Sequence, residues 1–512
     1  MKILDISSSR SQRGQTMIAG MGLMLVSASV IFMLFNSNRA VTEKINLVNA
    51  ADAVAYSGAL VASRELNFMA YTNRTMIANE VAIGHMVSFQ SEISLVEDVF
   101  SGGLRGLGSQ GIIAIFDAIL GIVGSNVASV AQAWGQGMRA VAGTYILSVD
   151  ATNALYNDFQ EEEYSALIGD GPNGSIVDVT MQQVAQKYVK NTDVTILVND
   201  ASSIDSLIGT GLDSDLSAKM ELAKAGATKE FCYLIMFASP GDSGGGGGAT
   251  DTSIDASLRG YCNDRGQPLP DGAFTKPLAD SGVLMDLVQR SAETAKSADW
   301  ITDRNLSYSP VFTLGNNVAR SGETKLEWDS VDDQYNWVAE DKVKSTNWLK
   351  DIIAGVDAEG SGDAKSAASF INGAAPWAED AIGTLLSTFG WCDDIDCDAV
   401  KNGEYKGIQK YATINPLISQ ATIRVVLTQT ANCNDTIGRD DITGAKNAKW
   451  HDDQTRYDTN CGSKPLTAYS AAQVYYDVPG CDDPSCTGFD KSKIISTQAN
   501  LFNPFWQARL AP

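Results

Sequence analysis

The chain has 512 residues, 44% of them apolar, and 61 acidic against 38 basic side chains leave a formal charge of −23. So negative a surface repels a phosphate backbone, which sets nucleic acid aside as a partner. The length allows ample buried core and exceeds a single typical domain, so two or three modules are expected.

Between Arg13 and Arg39 lie 25 residues without a charge, and Met17 to Phe35 is long enough to cross a bilayer as one helix. Met17, Leu23, Leu25, Val26, Ile31, Phe32, Leu34 and Phe35 form its apolar body. A cleaved secretory signal has a shorter apolar core, about 7 to 15 residues, closed by a small-x-small site. The run is therefore read as a retained anchor. Lys2, Arg10 and Arg13 precede it against Asp5 alone, so residues 1–13 are expected in the cytoplasm and the bulk of the chain beyond the membrane.

After Arg39 the pattern stays helical. Ile45, Val48, Ala55, Ala59, Ala62, Leu66, Met69, Met76, Ile83 and Val87 keep a seven-residue recurrence, interrupted at equivalent positions by Asp52, Asn73 and Glu80. One long helix reaching about residue 96 is predicted. Ala51, Asp52, Ala55, Gly58, Ala59 and Ala62 are its small-residue packing stripe, suited to close approach of another element of its own domain or of a partner helix. Residues 101–143 are glycine-rich and hydrophobic. Their most apolar core, Gly111 to Gly124, is short and contains Asp117, so a buried or membrane-surface helical hairpin is expected rather than a second span.

Helices are expected at 178–190 and 214–236, with a turn cluster from Gly169 to Gly174 and a glycine-rich loop or linker at 239–256. Beyond it, strands are predicted at Val311–Leu314, Lys325–Trp328, Tyr335–Val338, Thr422–Thr428, Ala472–Tyr476 and Trp506–Leu510, and helices near 280–298 and 364–390. Strands and helices do not alternate regularly. The expected class is α+β, with an antiparallel sheet carrying helices on one face. The expected organisation is a cytoplasmic leader (1–13), a transmembrane helix (14–38), a helical region (39–238), the linker (239–256) and an α+β disulfide-stapled exported module (257–512).

All eight cysteines lie beyond the membrane segment, an even number in an oxidising setting. The preferred pairing is sequential: Cys232 with Cys262, Cys392 with Cys397, Cys433 with Cys461, and Cys481 with Cys486. Thiolate zinc knuckles usually have two residues between cysteines, unlike the two C-x4-C loops here.

Chemistry-bearing motifs are sparse. His85 sits on an apolar helix and reads as structural; His451 beside Asp452 and Asp453 is an incomplete metal or acid/base set. Neither a GxxxxGK[ST] phosphate loop nor an HExxH zinc motif occurs. Asp5-Ile6-Ser7-Ser8-Ser9 matches an adhesion-type DxSxS string but stands ahead of the membrane segment instead of ending a core strand. Asp393, Asp394, Asp396 and Asp398 crowd one short loop, where Ca²⁺ is the alternative to a solvated acidic loop, although EF-hand spacing is missing. No cofactor and no enzymatic activity are expected.

Two stretches resemble a known family. Arg13-Gly14-Gln15-Thr16 entering an apolar helix, followed by Leu47-Val48-Asn49-Ala50-Ala51-Asp52-Ala53-Val54-Ala55-Tyr56-Ser57-Gly58-Ala59, is similar to the N-terminal region of TadE/TadG-like proteins of the tight-adherence (Flp) pilus. The ending Ala499 to Pro512 also resembles that of large pilus-assembly components. The resemblance covers under a fifth of the chain. It implies a leader cleavage point between Gly14 and Gln15, residence in a bacterial inner membrane, and packing with other pilus or secretion-system subunits or with further copies. In pilins and TadE-type pseudopilins a glutamate stands five residues into the processed chain, where Ala19 stands here. That departure favours an anchored, unprocessed TadG-like role. A membrane-tethered binding protein or adhesin is the alternative, and an exported enzyme a more distant one.

Overall fold

A computed structural model describes residues 12–101, 124–169, 174–188, 196–208, 213–224, 231–232, 234–238, 306–308, 317–329, 334–346, 357–374, 404–409, 411–414, 420–429, 466–477 and 499–511. It is a mixed helix and strand structure of α+β type built along one N-terminal apolar helix.

That helix, α1 (Gln12–Ser101), runs unbroken for 90 residues, about 135 Å at 1.5 Å per residue. No proline precedes Pro172, so nothing in the sequence forces a break. The second helix, α2 (Gly124–Ile168), returns along it: Arg139 pairs with Glu97, Asn153 meets Asn79 and Glu80, and Gln160 meets Thr72 and Asn73. The predicted turn cluster ends α2. Gly169 adopts a φ of +83°, and a Cβ there would lie 2.7 Å from the Ser175 nitrogen. Ser175 then caps α3 (Ile176–Lys187), its Oγ accepting from the Val177 N–H and donating to the Leu167 carbonyl.

Among the described residues the strands form three sheets in place of the single one expected, and every pairing is antiparallel. The first has the order β1 (Ile196–Val198), β8 (Ala421–Gln429), β9 (Leu466–Tyr476), β10 (Trp506–Leu510). The second pairs β2 (Ile235–Ala238) with β7 (Tyr411–Ile414). The third runs β3 (Leu306–Tyr308), β4 (Asn317–Asp329), β5 (Gln334–Thr346), β6 (Asp357–Asp363). Strands β1 and β2, early in the chain, complete sheets whose other members lie past residue 410, so the helical region and the C-terminal part are interleaved.

Three expectations need correction or completion. Of the predicted helix 214–236, Ser214–Lys224 is seen as α5 and Phe231, Cys232 and Leu234 are helical, but Ile235–Ala238 is a strand because Tyr411–Ile414 offers it a ladder. A short apolar run such as Leu234-Ile235-Met236-Phe237 fits either state until its neighbour is known. Strand β6 has the sequence Asp-Ala-Glu-Gly-Ser-Gly-Asp, which no strand propensity favours. Its glycines let backbone lie directly on α1: a Cβ at Gly362 would fall 2.3 Å from the Val87 carbonyl oxygen, and one at Gly360 2.2 Å from that of Ser91. Of the predicted helix 364–390, Ala364–Ala374 is seen, here α6. Val311–Leu314, 280–298 and the 239–256 linker lie outside the described residues.

Two cores line α1. One gathers Leu47 to Met69 with the end of α2, α3, the 231–235 segment and the inner faces of β7 to β10. The other gathers Met76 to Val87 with Ile146 and Leu147 of α2, Trp337 of β5, α6, Tyr405, Tyr411 and Phe502. A satellite formed by α4 (Ala201–Ile208) and α5 covers the outer face of β8 at Val426, which explains why β8 departs from strict alternation there.

Candidate functional surface along the long helix

Helix α1 has two unlike halves. From Met17 to Phe35 it is long and apolar enough to cross a membrane, and none of it is covered by the rest of the fold. Met17, Leu23, Leu25, Val26, Ile31, Phe32, Leu34 and Phe35 are all exposed. Ser27 and Ser29 turn their hydroxyls back onto the Leu23 and Leu25 carbonyls at 2.8 Å, so neither leaves an unsatisfied donor toward a lipid phase. This segment is a candidate membrane anchor or signal sequence. Gly14 and Gln15, the candidate cleavage point, lie in the first turns of the same helix. Lys44–Asp98 also passes a test of length and apolarity, but it is a sheathed core helix with one face inside the fold.

The sheathed half follows the predicted heptad. Ala55, Ala59, Ala62, Leu66, Met69, Met76, Ile83 and Val87 are fully buried, whereas Ile45, at the start of the repeat, is exposed. Around the small-residue stripe the neighbours belong to the same chain. Ala51, Ala55, Ala59 and Ala62 share a core with Ala468 and Ala472 of β9, small residues meeting small residues so that helix and sheet approach closely. A Cβ on Gly58 would stand 2.9 Å from the Met181 sulfur of α3.

The polar interruptions of the heptad are the points where α1 grips other elements. Asp52 accepts a 2.7 Å hydrogen bond from the Ser470 hydroxyl of β9. The Asn73 amide nitrogen donates to the carbonyls of Ala412 and Leu501, both at 2.7 Å, while its oxygen accepts from Gln160 of α2 at 2.8 Å. Gln160 in turn accepts from the Ala412 N–H. Glu80 accepts from the Trp337 indole at 3.1 Å and from Asn153 at 2.9 Å. A fourth clamp escaped the heptad reading: the Asn67 amide both donates to the Trp506 carbonyl and accepts its N–H, each at 2.9 Å, satisfying the outer edge of β10 as a neighbouring strand would. Its signal in the sequence was an asparagine on an otherwise apolar helix, a residue that avoids helix interiors unless it has a partner.

Burial raises the pKa of the enclosed carboxyls. Glu80 is pushed up to about 8 by loss of water, with the charge of Asp150 adding to the effect. Asp150 rises to about 7 from the same cause, against a lowering hydrogen bond from the Lys406 N–H. Glu163, half-buried beside Glu65 and Arg64, rises to about 7 through desolvation and the neighbouring carboxyl. Burial lowers the pKa of His85.

On the outer side of the sheathed half, Tyr56, Leu60, Phe68 and Tyr71 remain exposed, as do Trp134, Val141 and Tyr145 on α2. Cys232 is buried and disulfide-bonded. Cys262, Cys392, Cys397, Cys433, Cys461, Cys481, Cys486, the 393–398 carboxylates, His451 and Asp5 to Ser9 lie outside the described residues. Among the described residues no group of three or more His, Cys, Asp or Glu side chains could hold a metal ion. Comparison with protein-family models, with curated proteins and with solved structures finds no match to this chain.

Proposed function

We propose that this chain is a membrane-anchored, non-enzymatic structural or assembly component of a Tad/Flp-type pilus or secretion apparatus, with its bulk on the periplasmic side of a bacterial inner membrane. The observation that carries the reading is one uninterrupted helix, bare and apolar over Met17–Phe35 and sheathed by the chain's own sheets beyond Leu47. A rod of this kind transmits position from a bilayer to a folded body that begins about 18 Å beyond Phe35 and follows the helix for roughly 60 Å more, at 1.5 Å per residue. The basic-Gly entry and the Asn49-Ala50-Ala51-Asp52 segment support the family assignment. The small-residue stripe is occupied internally, so the exposed Tyr56, Leu60, Phe68 and Tyr71 face is the one offered to other pilus subunits or to a further copy. The sequential disulfides belong to this reading as staples of the exported module, with Cys232 the first of them.

The deciding experiment removes the gene and restores it in trans. Loss of pilus assembly and surface attachment, rescued by the full chain but not by one carrying Leu25→Asp, is expected. Normal assembly in the deletion strain would sink the proposal.

A further inference from the structure

Strand β10 has one paired edge and one open edge. The Asp477 N–H bonds the Phe505 carbonyl and the Ala511 N–H bonds that of Ala471, which turns the odd-numbered residues of this stretch toward β9. In an antiparallel ladder the residues between them point the other way, so Trp506, Ala508 and Leu510 turn their backbone groups outward. The Asn67 amide accepts the Trp506 N–H and donates to its carbonyl. Among the described residues nothing bonds the outward N–H and C=O of Ala508 or Leu510.

Helix α1 lies beside this edge. It runs against β10, since Asp52 meets Ser470 of β9 and Asn67 meets Trp506, the partner of Tyr476. Leu60 stands two turns before Asn67 on nearly the same line of the helix, and about 10 Å of rise carries it level with the outward groups of Ala508 and Leu510. Tyr56 follows one turn further. Leu510 shares the α1-facing side of β10 with buried Trp506. Leu60, Tyr56 and Leu510 are 52%, 42% and 46% exposed, so an apolar strip accompanies the unpaired backbone. Such an edge is a template for one more strand, whose alternate side chains would fall on the strip.

We infer that the outer edge of β10, from Ala508 to Leu510, accepts an added β-strand from an extended segment of another polypeptide, with Asn67 marking where the added ladder stops. The inference rests on the reading of the Tyr56 to Tyr71 face as a partner surface and gives that surface a mode of binding. Charge narrows the segment. Arg64, Arg74 and Arg509 rim the edge, on a chain whose net charge is −23. Arg64 pairs with Glu65 and still leaves 71% of its side chain exposed. A segment with apolar residues in alternation and carboxylates at its ends is complementary to this rim. A second copy of β10 fits badly. Antiparallel pairing turns the second α1 end for end, so the two Met17–Phe35 segments could not enter one bilayer from the same side. Parallel pairing about an axis along the strands sets each outward N–H against its own copy.

Backbone groups carry strand addition and tolerate many sequences, so a simple probe serves: the peptide acetyl-Glu-Glu-Val-Thr-Val-Thr-Val-Glu-Glu-amide, titrated into the full chain in detergent micelles. Binding tighter than about 1 mM is expected, with hydrogen exchange of the Ala508 and Leu510 amides slowed about tenfold or more. Ala508→Pro removes an outward donor at an edge position that tolerates proline, and is expected to weaken the peptide about tenfold or more while the fold is kept. If that variant fails to fold, Leu60→Asp, which places a like charge against the peptide's carboxylates, is expected to do the same. No binding up to about 1 mM, unchanged exchange of both amides, or equal affinity for wild type and the folded variant overturns the inference. Protection of the two amides that appears without peptide and grows with protein concentration assigns the edge to a second copy and overturns it too. The titration needs no pilus, so its failure leaves the gene-deletion result, and the reading that result tests, standing.

Discussion

Residues 17–35 and 47–87 belong to one helix and are both rich in apolar side chains, yet one half is bare and the other is almost wholly enclosed on one face. The difference lies in where the polar residues fall. In the bare half there are few, and the two serines are satisfied within the helix, so no side is marked as inner or outer. In the sheathed half most apolar residues keep to one seam and most polar ones to the other side, with Tyr56, Leu60, Phe68 and Tyr71 left exposed there, which is the pattern of a helix lying on a core. Among the exceptions along the seam, Asp52, Asn67, Asn73 and Glu80 each face a specific donor or acceptor from another element. An apolar average thus says little about whether a helix meets lipid or protein; the angular distribution of its polar residues says much more.

The contrast can be broken most strongly from the sheathed side. Trp337→Ala removes the ring that lies over Gly84 and donates to Glu80, and is expected to cost about 3–5 kcal/mol in urea unfolding while leaving membrane association intact. Leu25→Asp does the converse: about 3 kcal/mol of insertion free energy is lost at the middle of the apolar segment, so the chain shifts from membrane to soluble fractions with its unfolding midpoint unchanged. Asn73→Ala leaves the buried Ala412 and Leu501 carbonyls without their amide, for about 2–3 kcal/mol of destabilisation measured the same way. Leu60→Ser, on the exposed side of the sheathed half, should stay within about 0.5 kcal/mol of wild type in stability. It is also the variant that sharpens the comparison functionally, because a defect in assembly without a defect in stability would locate a partner on that face.

The long helix and its seam were legible because a period of three and four residues persists over dozens of positions, and the strands at 325–328, 335–338, 422–428, 472–476 and 506–510 were legible from their β-branched and aromatic content. Strand β6 was not, since glycine and aspartate carry no strand signal and its place depends on backbone lying against α1 at Gly360 and Gly362. The Ile235–Ala238 strand is not legible either, because its apolar run is too short to show a period. Of the gripping residues, Asp52, Asn73 and Glu80 were visible as breaks in a repeat, but their partners at 470, 412, 501 and 337 stand hundreds of residues away.

By itself the sequence determined a single long N-terminal helix, its bare apolar segment, its buried seam and an α+β body, because these rest on local periodicity and composition that no distant residue can alter. Only the tertiary structure decided that the alanine stripe faces the chain's own β9, that early strands complete late sheets, and that two carboxyls are enclosed together at one crossing. Those outcomes depend on which surfaces meet, and a polar residue on an apolar seam becomes a clamp only when the fold brings a partner to it.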